Sequence, residues 1–374
     1  VPFKAHNTTG TEETALPRTS ADEIFDFIAN ECDSIKDKII EDYSADNEHI
    51  LAKAETGRAN KYAVLALKAQ AALYHASPLF TQGKSADEKK ALWAAAVAAN
   101  KELIDAAEAK GLGLASDIAL LWDTEYYSNA ESSKEIIFAR RTASANTFET
   151  YNFPVGYSSA QGGNCPTQDL VDAFECTDGK SIAESDLYDP TNPYANRDAR
   201  LAKTVVVNGE AWPNDLEAYN SEHPVIETYI GGYHSRTGNA AGKSYATTTS
   251  YYLKKFCNPN QILKARSGVA VTTSPHGWLT FRMGGMYLNY AEALYQYFKA
   301  SGNANAADAS GSVTYKETDG TEKTISIPAS QTASKMASMT RTRSGMPEFA
   351  IGMSNDEFWA KYKNERRVEL AFEG

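Results

Sequence analysis

Two alanine-dense runs constrain this chain more than any other feature. From Ala59 to Ser77, alanines at 59, 63, 66, 69, 71, 72 and 76 interleave with Val64, Leu65, Leu67, Leu73 and Tyr74, and Pro78 follows at once. A second run, over 86–110, has the same texture through Ala91, Ala94, Ala95, Ala96, Ala98 and Ala99, and closes near Gly111. Alanine is the best helix former and carries almost no bulk, while proline cannot continue a helix. Two such helices across a short loop predict close antiparallel packing, as in helical-hairpin repeats. No fixed 34-residue register is kept, so the pattern is TPR-like rather than TPR.

Helix starts are marked three times. Ser20-Ala21-Asp22-Glu23 and Ser85-Ala86-Asp87-Glu88 are identical, and Ser354-Asn355-Asp356-Glu357 is a close variant. Each is a capping box, in which the serine hydroxyl accepts a backbone N–H three residues on and the glutamate reaches back. Apolar residues at helical spacing follow: Ile24, Ile28, Cys32, Ile35 and Ile39 after the first, Phe358, Trp359 and Tyr362 after the third.

Between 112 and 275 this periodicity fades into Gly, Pro, Asn, Tyr and Thr clusters. Short strands are expected at Glu135–Arg140 and Thr204–Asn208, and a helix at Gln168–Phe174 capped by Thr167. Asp186, Asp189, Asn192, Asn196 and Asp198 offer oxygen ligands but lack the glycine and closing glutamate of a calcium loop. They read instead as a turn held by Asx side chains with Arg197 or Arg200. Helical order returns over Phe281–Ala300 and about Ser330–Arg343. Between these, residues 311–329 read as a β-hairpin around Asp319-Gly320.

Composition excludes several functions. A net charge of −11 disfavours phosphate backbones and anionic membrane surfaces, so no nucleic-acid partner is expected. Apolar residues at 42% and charged residues at 23% are ordinary for a globular protein, and no stretch reaches transmembrane length. Cys32, Cys165, Cys176 and Cys257 lack zinc-ligand spacing and read as free thiols, with Cys165–Cys176 as the one pairing to consider. The histidines are scattered, and there is neither G-x-S-x-G, nor a P-loop, nor a strand-borne G-x-G-x-x-G. No pair of carboxylates stands out for glycoside hydrolysis. The chain therefore reads as a non-enzyme that needs no cofactor and no metal.

What remains is surface recognition. Tyrosine is frequent, at 21 residues, and pairs an apolar face with a polar tip suited to stacking on sugar rings or gripping peptides. The irregular middle gathers Tyr151, Asn152, Tyr157, Gln161, Asn164, Trp212, Asn214, Tyr229, Tyr233, His234 and Arg236. Of these, Trp212, Tyr157, Tyr233, His234, Asn164 and Tyr151 are the expected ligand-binding residues. Trp212, in a polar loop between Glu210 and Pro213, is the expected stacking platform.

Several longer motifs carry a family likeness. Asn364-Glu365-Arg366-Arg367-Val368-Glu369-Leu370-Ala371-Phe372-Glu373-Gly374 closes the chain. Arg341-x-Arg343-x-Gly345-x-Pro347 precedes it, and Arg282 with Leu288-Asn289-Tyr290-Ala291-Glu292-Ala293 lies further back, where Gly284-Gly285 replaces an apolar–acidic pair. The run 57–74 and the stretches 166–175 and 192–200 complete the set. In this order they resemble the SusD/RagB family of outer-membrane nutrient-binding lipoproteins. The resemblance implies a mainly α fold: a TPR-like helical-hairpin scaffold with a large loop-rich lobe and minor β-strands. One SusD-like domain would span 1–374, with scaffold at 1–111, ligand lobe at 112–275, and C-terminal scaffold helices at 276–374 that carry the inserted hairpin 311–329.

It also implies cell-surface binding of oligosaccharides or polysaccharides and their delivery to a SusC-like TonB-dependent transporter. The protein would be held at the outer membrane by a lipid anchor. Peptide capture for the same kind of transporter, or a helical-repeat adaptor for protein partners, are the alternatives. Val1-Pro2-Phe3-Lys4 shows neither a signal peptide nor a lipid-attachment cysteine, and nothing follows Gly374, which implies an internal piece of such a protein. Arg366 or Arg367, paired in an otherwise apolar helix end, are expected to sit in a buried salt-bridge network.

Overall fold

The computed structural model describes residues 18–43, 57–122, 134–157, 159–212, 222–265 and 268–373. The expectations on Val1–Lys4, Pro213, Asn214 and Gly374 lie outside them. Helices run over Ala21–Ile35 (α1), Lys61–Ala76 (α2), Ala86–Ala109 (α3), Thr147–Asn152 (α4), Gln168–Ala173 (α5), Leu201–Thr204 (α6), Met283–Ala300 (α7), Ala333–Arg343 (α8) and Asn355–Glu369 (α9). Strands are Ile136–Arg141 (β1), Val205–Val206 (β2), Tyr252–Leu253 (β3), Gly277–Arg282 (β4), Gly311–Lys316 (β5) and Glu322–Ile327 (β6). They form three two-stranded ladders, β1–β4, β2–β3 and β5–β6. The fold is mainly helical with minor strands, as the sequence implies.

The chain divides into two compact units. One comprises Val1–Gly113, Phe281–Ala337 and Phe349–Ala360; the other comprises Leu114–Thr280, Ser338–Glu348 and Lys361–Gly374.

In the first unit the first two capping boxes form as read, and at the third Ser354 Oγ accepts the Glu357 N–H at 3.3 Å. Ser20 Oγ accepts the Glu23 N–H at 3.2 Å while Glu23 Oε2 accepts the Ser20 N–H at 3.0 Å. Ser85 and Glu88 repeat this at 3.3 and 2.7 Å. Helix α2 begins two residues later than the alanine run, because Asn60 caps it by accepting the Ala63 N–H at 3.1 Å. Ala66, Ala69, Ala96 and Val97 are fully buried where α2 meets α3. Side chains this small let two helix axes approach closely. Asn100, buried on α3, donates to the Ala69 carbonyl of α2 at 3.3 Å and clips the pair together.

Helix α7 packs on α3 and is buried along nearly its whole length. It starts at Met283 rather than Phe281, because Phe281 and Arg282 end strand β4. Gly284 and Gly285 lie in its first turn and are buried. Tyr295 of α7 stacks on Trp359 with ring centroids 5.3 Å apart and donates its hydroxyl to the Asn355 carbonyl at 2.8 Å. The hairpin forms with Val313 opposite Ile325 and Tyr315 opposite Lys323.

The second unit is short of regular structure, and the expected Thr204–Asn208 strand shrinks to Val205–Val206, because Leu201–Thr204 takes a helical turn. Thr167 caps α5 as expected, accepting the Leu170 N–H at 3.2 Å. The acidic turn holds itself through Asp189, whose Oδ1 accepts from Thr191 N–H and Oγ1 at 2.8 and 2.7 Å. Arg197 donates to the carbonyls of Val171, Phe174 and Pro193.

This unit centres on buried ions. Arg200 reaches Asp198 Oδ2 at 2.7 Å, Glu365 Oε1 at 2.6 Å and Glu369 Oε2 at 2.8 Å. Arg341 bonds Glu175 at 2.7 Å and Glu365 at 3.3 Å; Arg343 bonds Glu369 at 2.5 Å and Glu135 at 3.2 Å. Thr340 Oγ1 donates to Glu365 at 2.6 Å. Burial disfavours the charged Arg200, but Glu365, Asp198 and Glu369 outweigh it and hold the guanidinium protonated.

Neither Arg366 nor Arg367 is buried, which corrects the burial expected of them. Arg366 is half-buried, and Arg367 is exposed and pairs with Asp169, itself exposed. The buried members of the terminal helix are Glu365 and Glu369. On a helix these sit one turn apart, on the stripe that Phe358 and Tyr362 begin, and the arginines fall off that stripe.

Removing one member of a buried ion set leaves its partners uncompensated. Arg200→Ala is therefore expected to cost ~3–5 kcal/mol in urea unfolding of the full chain, against ~1 kcal/mol or less for Arg367→Ala. Equal losses from the two substitutions would refute this account of the network.

Candidate functional site

The second unit also exposes aromatic side chains around a glycine turn. Segment 161–163 runs back along the end of α4: Gln161 N–H bonds the Thr150 carbonyl at 2.9 Å, Gly162 N–H the Phe153 carbonyl at 3.0 Å, and Gly163 N–H the Tyr151 carbonyl at 2.6 Å. Both glycines are required by closeness. A Cβ on Gly162 would lie 2.5 Å from the Tyr252 ring and 3.2 Å from the Tyr245 carbonyl, and Gly162 has φ +54. A Cβ on Gly163 would lie 2.7 Å from the Tyr151 carbonyl. Tyr151 and Tyr245 thus flank one turn, and they are 53% and 60% exposed.

Asn164 follows the turn and is exposed. The buried Asn152 Oδ1 accepts its N–H at 3.3 Å and its Nδ2 at 2.6 Å, while Asn152 Nδ2 donates to the Phe148 carbonyl at 2.8 Å. That chain of bonds fixes the Asn164 amide plane. Exposed tyrosines and an oriented amide carried by one turn are the groups that can cover the C–H face of a sugar and bond its hydroxyls.

Of the six residues singled out from sequence, Tyr151 and Asn164 meet at this turn. Trp212, Tyr157 and His234 do not reach the surface there. Trp212 is only 4% exposed and packs edge-on against Phe153 at 5.1 Å and near Tyr157 at 6.2 Å. The expected open platform at Trp212 is therefore corrected to a core position. Its polar loop context hid partners that lie about 60 residues earlier in the chain. Tyr157, a member of the same cluster, and the buried His234 stack roughly parallel at 6.3 Å. Tyr233 is half-buried and stacks on His223 at 3.8 Å. Tyr245, which the sequence reading passed over, is the added member. Its signal was a tyrosine after Gly242, between Lys243-Ser244 and Ala246, in a turn-rich run.

His234 shows what the buried cluster demands. Its Nδ1 accepts the Glu227 N–H at 3.1 Å, so the neutral ring carries its proton on Nε2, which has no hydrogen-bond partner among the described residues. Burial, partly opposed by Glu227, pulls its pKa from 6.5 to about 4. Glu227 is pushed up by burial, but the Tyr233 N–H and His223 outweigh this and leave it lowered. The four cysteines are free; burial raises the Cys257 and Cys32 thiols. Among the described residues, no group of three or more His, Cys, Asp or Glu side chains is placed to hold a metal ion. No helix among them is long and apolar enough to cross a membrane.

The sequence profile of the SusD family matches residues 122–374. No curated protein matches the chain. Among solved structures, a SusD-like protein from Bacteroides fragilis NCTC 9343 is similar at 22% identity and TM-score 0.63, covering 96% of this chain and 59% of its own. A SusD-like carbohydrate binding protein from the same organism is similar at 19% identity and TM-score 0.61, covering 100% and 60%. Surface glycan-binding protein A from Bacteroides uniformis follows at 16% identity and TM-score 0.51, covering 95% and 56%. These likenesses are likenesses of fold, and the chain spans about three fifths of the first two proteins' length.

Two outcomes follow from the buried cluster. Trp212→Ala is expected to cost ~3–5 kcal/mol of stability, measured by denaturant unfolding; a loss under 1 kcal/mol would return Trp212 to the surface. A depressed histidine pKa means the unfolded chain takes up the proton first. Stability should then fall as pH drops from 6.5 toward about 4, by up to about 3 kcal/mol from this group. His234→Gln should flatten that slope between pH 6.5 and about 5, above the main carboxylate range. An unchanged slope would show that the proton is taken up elsewhere.

Proposed function

The chain belongs to the SusD family, and from that premise we propose that it binds neutral oligosaccharides or polysaccharides at the Tyr151–Asn164–Tyr245 surface, without catalysis. The observation that carries this reading is that two exposed tyrosines meet, through their backbone carbonyls, one turn that only glycines can form, next to an asparagine whose amide is fixed by Asn152. Among the described residues no hydrogen bond occupies Asn164 Oδ1, so it is open to a sugar hydroxyl. The SusD-like relative described as carbohydrate binding supports the ligand class.

Binding through a few stacking contacts gives modest affinity, which suits a protein that releases its cargo. In this reading the protein sits on the cell surface, anchored to the outer membrane by lipid, and passes glycan to a SusC-like TonB-dependent transporter. Co-purification of such a β-barrel from outer membranes checks that step, and its absence under mild detergent would count against it.

Affinity gel electrophoresis of the full chain against plant, host and microbial polysaccharides tests the ligand class. Tyr151→Ala and Tyr245→Ala are each expected to weaken retardation by ~1–3 kcal/mol, while melting temperature stays within a few degrees. Retardation by no glycan, or retardation indifferent to both substitutions, would overturn the assignment; binding of peptides instead would favour peptide capture. Prolonged incubation with the same panel should release no new reducing ends.

A further inference from the structure

The first unit contains a recess of about 400 Å³ between α1, α2, α3 and the β5–β6 hairpin. Its size falls in the range of small-molecule pockets, roughly 300–1,000 Å³. The helix side is paved with alanines, including Ala95 and Ala98, so the hairpin cannot close down on bulky side chains and space remains. On its wall four charges form a closed square. Lys36 Nζ bonds Asp33 at 2.8 Å and Glu102 at 2.5 Å; Lys68 Nζ bonds the same two carboxylates at 2.6 and 2.9 Å. Thr318 at the hairpin tip donates to Asp33 Oδ2 at 3.3 Å, and Tyr315 of β5 lines the space, half-buried.

The square is electrically complete but not saturated. Each ammonium has three protons and uses two of them here; each carboxylate has about four acceptor sites. Burial opposes the charge on Asp33, but hydrogen bonds from Lys36 and Lys68 outweigh it and keep the carboxyl below its ordinary range. An anionic or cationic ligand would have to break a matched pair and strand its partner. A neutral polyol would not. It can accept the spare ammonium protons, donate to the spare carboxylate lone pairs, and lay its C–H face on Tyr315.

We propose that this recess is a second carbohydrate site, one that takes a neutral mono- or disaccharide unit between the Asp33–Lys36–Lys68–Glu102 square and the Tyr315 ring. It is separate from the Tyr151–Asn164–Tyr245 surface and does not depend on that reading. The hairpin is part of the site rather than a decoration of the helices, since it supplies the ring and, through Thr318, holds a carboxylate of the square.

Saturation-transfer NMR on the full chain tests this, with glucose, galactose, mannose, xylose, arabinose and N-acetylglucosamine as probes and alanyl-alanine as a zwitterionic control. At least one sugar is expected to show transfer that weakens about tenfold or more in Tyr315→Ala. Ala95→Phe, which fills the recess from the helix side, should have the same effect, and all of these variants are measured in a Tyr151→Ala/Tyr245→Ala background so that sugar held at the other surface does not contribute. Melting temperatures identify a variant that has failed to fold, and the other then decides. Transfer from no sugar, transfer that survives in a folded Tyr315→Ala or Ala95→Phe, or transfer from alanyl-alanine alone would overturn the proposal. Transfer seen in the unaltered chain but absent from the Tyr151→Ala/Tyr245→Ala background would assign the signal to the other surface and overturn the proposal. Failure of the polysaccharide gel experiment would leave this result untouched, so the two readings fail separately.

Discussion

Arg200 is the residue on which the loop-rich unit depends. Its guanidinium spends Nε, Nη1 and Nη2 on three carboxylates drawn from two distant stretches of chain, 198 and 365–369. A planar fork of fixed donors tolerates few arrangements of its partners, and a lysine could not reproduce it. Arg341 and Arg343 extend the same set to Glu175 and Glu135. Each of these carboxylates is buried, so any register that left one unmatched would carry a desolvation cost of several kcal/mol. In a unit with so few ladder hydrogen bonds, ion matching takes over the work of fixing register that a sheet would otherwise do.

This explains which parts of the fold were legible in the sequence. Helices α2 and α3 were readable because alanine spacing, caps and Pro78 are local signals, and the observed ends differ from the expected ones by a residue or two. The hairpin was readable for the same reason. The terminal motif was recognisable, but its two adjacent arginines cannot share one helical stripe, and the buried stripe passes through the glutamates instead. Phe358, Tyr362, Glu365 and Glu369 recur at helical spacing, and carrying the apolar period on into the acidic residues would have identified the glutamates as interior. Trp212 was misplaced for another reason. Its neighbours in sequence are polar, but its neighbours in space are Phe153 and Tyr157, and local patterning holds no information about partners so remote.

The misplacement is informative about the candidate surface. Trp212, Phe153, Tyr157, Tyr252 and His234 are buried rather than part of it. Tyr252 meets Gly162 directly, and its hydroxyl donates to the His234 carbonyl at 2.7 Å. The Tyr252 ring therefore supports the turn whose glycines meet the Tyr151 and Tyr245 carbonyls. A loop held this way loses little further freedom when a ligand binds, and so two exposed rings can suffice where a mobile loop would need more.

The chain uses matched charge in two physically different ways. In the loop-rich unit the side chains of Arg200, Asp198, Glu365 and Glu369 are 1%, 2%, 1% and 0% exposed, and hydrogen bonds to protein occupy the guanidinium on all three nitrogens. In the helical unit the corresponding square is 21%, 22%, 15% and 35% exposed at Lys36, Asp33, Lys68 and Glu102. Water screens such a pair and reduces its worth for stability to ~1 kcal/mol or less. Stability alone is thus a weak reason to gather four charges in an alanine-walled recess. Donors and acceptors fixed in position, reachable from solvent and neutral in sum are better suited to recognising a neutral, hydroxyl-rich molecule than to holding helices together.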